Sequence, residues 1–144
     1  MNIRIQKLRP NAVLPTYGSP CAAGADLSAS LTEEVALLPG ETKLIPTGLA
    51  MEIPEGYAGL IYARSGLASK RGLAPANKVG VVDADYRGEV MVALHNHSGQ
   101  PQSVAPGERI AQLVVTPFLA AEFTQTEALC GTTRGAGGFG STGR

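Results

Sequence analysis

The sequence predicts one all-β domain, a sandwich or barrel of short strands, followed by a glycine-rich tail. Three observations carry this. Gly and Pro, 18 and 10 of 144 residues, recur as punctuation, with Pro39-Gly40, Pro54, Gly56, Pro75, Pro101 and Pro106-Gly107 among the stops. The segments between them are short and rich in Leu or β-branched residues, and closely spaced turn signals around such segments are the mark of a sandwich or barrel. The last segment, GTTRGAGGFGSTGR from Gly131, has no apolar stripe with which to dock. By composition it is flexible alone.

Taken in order, strands are expected over Lys43–Leu49, Gly59–Ala63, Lys78–Val82, Glu89–His95 and Arg109–Thr116. The run Glu89–His95 fits a strand at least as well as a helix. Ser65–Arg71 has room for a helical turn or two, although Gly66 weakens it. No repeat and no linker is visible, so residues 1–130 read as the domain and 131–144 as the tail. A chain of this size buries roughly 68–70% of the surface its unfolded form exposes, enough for a real core.

Composition removes several classes of function. With 44% hydrophobic and 17% charged residues the chain is globular rather than disordered. A formal net charge of zero and a pI near 6.7 leave no broad basic footprint for nucleic acid or an anionic membrane. No apolar run approaches the ~18 residues of a membrane span. The start, MNIRIQKLRP, lacks the apolar core of a signal peptide. Cys21 and Cys130 read as free thiols of a reducing compartment, which points to the cytoplasm. The sequon Asn96-His97-Ser98 then reads as chance.

Five segments carry side chains suited to chemistry, and each has a plainer reading beside it. In Ala23-Gly24-Ala25-Asp26-Leu27 a lone Asp stands among small residues, usually a structural turn. Ala63-Arg64-Ser65-Gly66-Leu67 follows an apolar strand with a guanidinium, a hydroxyl and a glycine. Those groups suit a phosphate clamp, or else an exposed loop with a helix-capping serine. Asn77 to Glu89, NKVGVVDADYRGE, reads as a hairpin around an acidic turn. Its spare backbone groups suit the edge of a base, and Asp83 closes an apolar run at a semi-buried mouth where a general base can sit. Asp83, Asp85 and Gly88 are equally ordinary turn residues. In Gly107-Glu108-Arg109-Ile110-Ala111-Gln112-Leu113, alternation puts Gln112 on one face with Ile110 and Val114, so its amide needs a partner in the core or a ligand. The tail brings Arg134, glycines that let backbone N–H groups approach an anion, the flat face of Phe139, and the hydroxyls of Ser141 and Thr142.

Other motifs fail on context. Gly135-Ala136-Gly137-Gly138-Phe139-Gly140 spells the dinucleotide fingerprint, but too few residues follow for the helix that pattern requires. A Walker loop fails for want of its lysine. His95 and His97 have the spacing of a metal pair, yet no Cys, His or carboxylate cluster lies nearby in sequence to complete a zinc site.

In this order and spacing the segments AGADLSA, RSGLA, NKVGVVDADYRGEV, GERIAQLV and RGAGGFGSTG resemble the five motifs of the trimeric dUTPases. The resemblance implies a distorted jelly roll assembled as a homotrimer. Three sites lie between subunits, and the tail closes over a neighbour's substrate. It implies Mg²⁺-dependent hydrolysis of dUTP to dUMP and pyrophosphate, which supplies dUMP for thymidylate synthesis and keeps uracil out of DNA. Asp83 would activate the water that attacks the α-phosphorus, with Gln112 at the phosphates and Arg134 acting like an arginine finger. Arg64, Ser65 and Gly66 would hold the triphosphate. Asn77, the backbone at Val81 and Val82, and Met91 would bind uracil and deoxyribose. Tyr86 would pack under the sugar and exclude a 2′-hydroxyl. Phe139 would stack on uracil, with Gly138, Ser141 and Thr142 completing the cover. Mg²⁺ would be held chiefly by the triphosphate, with Asp26 reaching it through water. Ala63 departs from the proline common before Arg-Ser-Gly, which costs some rigidity but no chemistry. The rival readings are a dCTP deaminase, a non-catalytic nucleotide sensor and a structural jelly-roll protein.

Overall fold

The computed structural model describes residues 1–138. Strands β1 (Arg4–Lys7), β2 (Thr16–Tyr17), β3 (Ala25–Ser28), β4 (Val35–Leu37), β5 (Thr42–Pro46), β6 (Leu49–Glu52) and β7 (Tyr57–Tyr62) lead into a short helix, α1 (Ser65–Arg71). After it come β8 (Leu73–Pro75), β9 (Gly80–Val82), β10 (Met91–Asn96), β11 (Gln102–Val104) and β12 (Arg109–Pro117). The chain is thus nearly all β, a distorted jelly roll. One sheet has five strands in the order β2-β3-β12-β7-β9, another has three in the order β5-β10-β8, and β1 with β6 and β11 with β4 form short ribbons.

Alternation explains the core. In β10 the residues Val92, Leu94 and Asn96 point inward while Met91, Ala93 and His95 are half-buried. Leu27, Leu37, Ile45, Leu49, Ile53, Leu73, Leu94 and Ile110 meet between the sheets, each essentially excluded from water. Burying an aliphatic side chain of this size contributes about 1.5–3 kcal/mol. One core member is polar. Asn96 is fully buried and spends its whole amide inside. Nδ2 donates to the carbonyls of Leu37 (3.0 Å) and Gln100 (2.8 Å), and Oδ1 accepts from Ser98 N (2.9 Å) and Ser98 Oγ (2.7 Å). A glycan at this nitrogen is incompatible with that position, so the sequon is a coincidence of letters.

Three sequence expectations need correction. The segment Lys43–Leu49 is two strands, because Gly48 turns the chain with φ +71 and its position leaves no room for a Cβ beside Ala12 and Ser30. Ala25–Ser28 is a buried strand, not a turn, and pairs with both β2 and β12. The predicted hairpin over Asn77–Glu89 does not close on itself: β9 pairs with β7 while β10 pairs with β5 and β8, so the connection crosses from one sheet to the other. Regular structure ends at Pro117, and residues 118–138 carry no strand or helix and are exposed almost throughout.

Asn96→Ala removes four hydrogen bonds and takes a donor from the carbonyl of buried Leu37. At about 1 kcal/mol per bond, it lowers unfolding free energy by about 2–4 kcal/mol, read as an earlier denaturant midpoint.

Candidate active site

Strand register gathers three of the five motif segments. Gln112 of β12 is registered with Asp26 of β3 on one side and with Tyr62 of β7 on the other. Registered residues in neighbouring strands point to the same face, so Asp26 and Gln112 stand side by side. Arg64, two residues beyond Tyr62 in extended conformation, reaches the same place. Its Nε donates to Asp26 Oδ1 at 2.7 Å, and Arg109 Nη1 donates to Oδ2 at 3.0 Å. Gln112 Nε2 donates to the Ala63 carbonyl at 2.8 Å, fixing the residue that precedes Arg64. A cavity of about 350 Å³ opens here, lined in part by Asp26, Arg64, Ser65, Gly66, Arg109 and Gln112. Two guanidiniums share one carboxylate, which leaves a net positive charge suited to an anion.

The face predicted for Gln112 is corrected by a bulge. Pairing of β12 with β3 shifts between Arg109 and Ala111, so Ile110 and Ala111 are both buried. Beyond it, Leu113 faces the core while Gln112 turns with Val114 to the other side, away from Ile110. Gln112 is therefore a half-buried side chain at a cavity rather than a core amide. Gly24 makes room for it: a Cβ there would lie 2.3 Å from Gln112 Oε1. The helix begins at Arg64 without a side-chain cap and stops at Gly72, whose φ of 67 is left-handed. Ser65 is thus the first helical residue rather than a capping serine.

The second cavity, about 220 Å³, is lined by Ile61, Asn77, Gly80, Val81, Val82, Asp83, Tyr86, Glu89, Val90 and Met91. β9 is an edge strand, so its outer row of N–H and C=O groups has no strand partner among the described residues. Those groups can read the edge of a base. The Tyr86 N–H bonds the Asp83 carbonyl at 3.2 Å and closes the acidic turn. Tyr86 Oη donates to the Glu89 carbonyl, and Gly88 permits this, since a Cβ there would lie 2.4 Å from the phenol oxygen. Glu89 Oε1 accepts from Gly48 N–H and Oε2 from Arg9, which ties the segment to the β5–β6 corner. Asp83 itself is exposed in the single chain, not semi-buried, and also borders a wider cavity of about 720 Å³ with Arg4, Glu52, Asp85 and Arg87.

The two cavities share no lining residue. Val82 is registered with Gly59 and Asp83 lies one residue beyond, whereas Arg64 follows the opposite end of β7. At ~3.3 Å per residue, Asp83 and Arg64 of one chain are roughly 15–20 Å apart along the strand. One chain therefore does not bring its own Asp83 to its own Arg64.

In the tail, Arg134 Nε donates to its own Gly137 carbonyl at 2.8 Å, and Gly138 follows. Phe139, Ser141 and Thr142 lie outside the described residues. The His95 and His97 rings meet at a tilt of 60°, with centroids 4.3 Å apart. Desolvation, then His95 and Lys78, hold His97 below the usual imidazole range. No group of three or more metal-ligating side chains occurs among the described residues. Residues whose role sequence reading missed are Gly24, Gly88, Glu89 and Arg109. The charges of Glu89 and Arg109 were visible, but their partners dozens of positions away were not.

Gly24→Ala forces Gln112 out of its bond to Ala63. Overpacking of this kind costs about 1–3 kcal/mol, visible as a lowered melting temperature and a displaced Gln112 amide resonance.

The dUTPase family model matches residues 10–143. A deoxyuridine 5'-triphosphate nucleotidohydrolase of Desulfitobacterium hafniense is 54% identical over 131 residues, covering 90% of this chain and 87% of that protein. The dUTPase of Staphylococcus bacteriophage 80alpha, solved with dUPNHPP, superposes with a TM-score of 0.89 at 31% identity over 99% of both chains. A mutant dUTPase from phage phi11 of S. aureus, described for the coordination of a structural Mg(II) ion, superposes at 0.79 with 28% identity over 89% of this chain and 98% of that one. A family model spanning nearly the whole chain, and relatives that match it almost end to end, mean that the chain belongs to the dUTPase family.

Proposed function

We propose that the chain hydrolyses dUTP to dUMP and pyrophosphate as a homotrimer with Mg²⁺. The observation that carries this is the cavity between β9 and β10: an edge strand able to read a base, Tyr86 beside it, and Asp83 at its rim.

Uracil pairs with the outer backbone of Val81 and Val82 and with Asn77, while Met91 closes the apolar side. Deoxyribose lies on Tyr86, whose ring is held by its bond to Glu89 and leaves no space for a 2′-hydroxyl. Arg64, Ser65 and Gly66 hold the triphosphate, and Gln112 contacts its inner end. Asp83 takes the proton of a water aligned behind the α-phosphorus, and pyrophosphate leaves toward the cationic clamp. Asp26 keeps Arg64 extended through their ion pair. Because the two halves of the site lie apart in one chain, Asp83 of one subunit works with Arg64 of another. The exposed segment 118–138 suits a tail that crosses to a neighbour, bringing Arg134 to the phosphates, with Gly138, Phe139, Ser141 and Thr142 over the nucleotide.

The donor chemistry fits a metal bound mainly by substrate oxygens. Both Asp26 oxygens receive guanidinium N–H groups, and the lone-pair capacity that Asp26 keeps suits a metal-bound water. The ion's contribution is to neutralise charge on the phosphate oxygens.

Incubation with dUTP, UTP, dCTP and dTTP plus Mg²⁺ releases pyrophosphate from dUTP alone; ammonia from dCTP instead identifies a deaminase. Asp83→Asn nearly abolishes turnover while dUTP still binds. Arg134→Ala slows turnover far more than it weakens binding, within the ~10³–10⁵ range known for arginine fingers. Mixing separately inactive Asp83→Asn and Arg64→Ala subunits restores activity after subunit exchange. Absence of recovery in demonstrably mixed trimers removes the shared-site arrangement.

A further inference from the structure

We propose that Arg71 and Glu108 form a clasp that positions the phosphate clamp, a role resting on the reading of Arg64–Gly66 above. Arg71 ends α1, and all three guanidinium nitrogens are engaged. Nη1 pairs with Glu108 Oε1, Nη2 donates to the Ser103 carbonyl, and Nε donates to Gln102 Oε1 at 3.1 Å. Glu108 is itself fixed, since its other oxygen accepts the Ala105 N–H at 2.9 Å and its carbonyl accepts the Ala29 N–H at 2.8 Å.

The neighbour of Glu108 in sequence is Arg109, which holds Asp26, which in turn holds Arg64 at the start of α1. The contacts therefore close a ring. The C-terminal end of α1 is bolted to residue 108, and its N-terminal end is tied through Asp26 to residue 109. A helix of seven residues has little stability of its own, and Leu67 is its sole buried residue. Its orientation is set by these two attachments together with the C-cap, where the Gly72 carbonyl accepts the His97 N–H at 2.8 Å. Without the Arg71 attachment only Leu67 and the Gly72–His97 bond hold that end, so the helix tilts and Ser65 and Gly66 leave the line of the phosphates while the β9–β10 cavity is untouched.

Arg71→Met, Arg71→Lys and Glu108→Gln test this in the full chain with Mg²⁺. The measurements are kcat and KM for dUTP, inhibition by deoxyuridine, which has no phosphate, and melting temperature. Arg71→Met and Glu108→Gln are expected to cut kcat/KM for dUTP by about tenfold to a hundredfold, with deoxyuridine inhibition within about threefold of wild type. Arg71→Lys falls between, because an ammonium keeps the Glu108 pair but not the fork. If Arg71→Met fails to fold, Glu108→Gln decides, since it keeps an acceptor for Ala105. Wild-type kinetics in folded variants, or losses that strike deoxyuridine equally, overturn the clasp alone. A wild-type protein that does not turn over dUTP overturns the parent reading and the clasp with it.

Discussion

Asp26, Gln112 and Tyr62 stand in one row across β3, β12 and β7, and the site hangs from that row. The register is fixed by burial. Leu27, Ala111, Leu113 and Ile61 occupy the alternate positions that face the core, and a slip of one residue in any strand would turn them outward. The hydrophobic effect thus decides where a carboxylate, an amide and a guanidinium meet, although none of the three contributes to the core. The bulge at Arg109 and Ala111 is the one irregularity in this arrangement. It re-aims Gln112 and puts Arg109 beside Asp26.

Charge is concentrated here against a neutral background. The chain has equal numbers of acidic and basic residues, yet around Asp26 two guanidiniums face one carboxylate. Asp26 is largely covered, and a covered carboxylate without partners is costly. Pairing offsets part of that penalty and holds Arg64 extended. Preorganisation of this kind spares the site from ordering a long side chain during binding. The cleft beside β9 differs: it has a sheet edge without a strand partner among the described residues, and a tyrosine locked over Gly88.

The separation of clamp and cleft along β7 gives the proposed enzyme its logic. A strand places its two ends far apart, so residues flanking it cannot meet around one small molecule. In the proposed homotrimer a second copy of the chain would solve the geometry without changing the fold, and activity would depend on assembly.

Much of this was legible in the sequence. Periodicity between Gly and Pro stops gave the all-β class and most of the long strands, and the five ordered segments pointed to nucleotide chemistry, because both are properties of neighbours along the chain. The break at Gly48 was missed because its conformation is imposed by contact with Ala12 and Ser30. The hairpin was misread because β9 and β10 are claimed by different sheets. Gln112 was put on the wrong face because a bulge adds a residue without leaving a mark in the letters. The pairings of Asp26 with Arg64 and Arg109, and of Arg71 with Glu108, were decided by tertiary structure alone. They join residues brought together by strand register, and register follows from packing of the whole core rather than from any local run of residues.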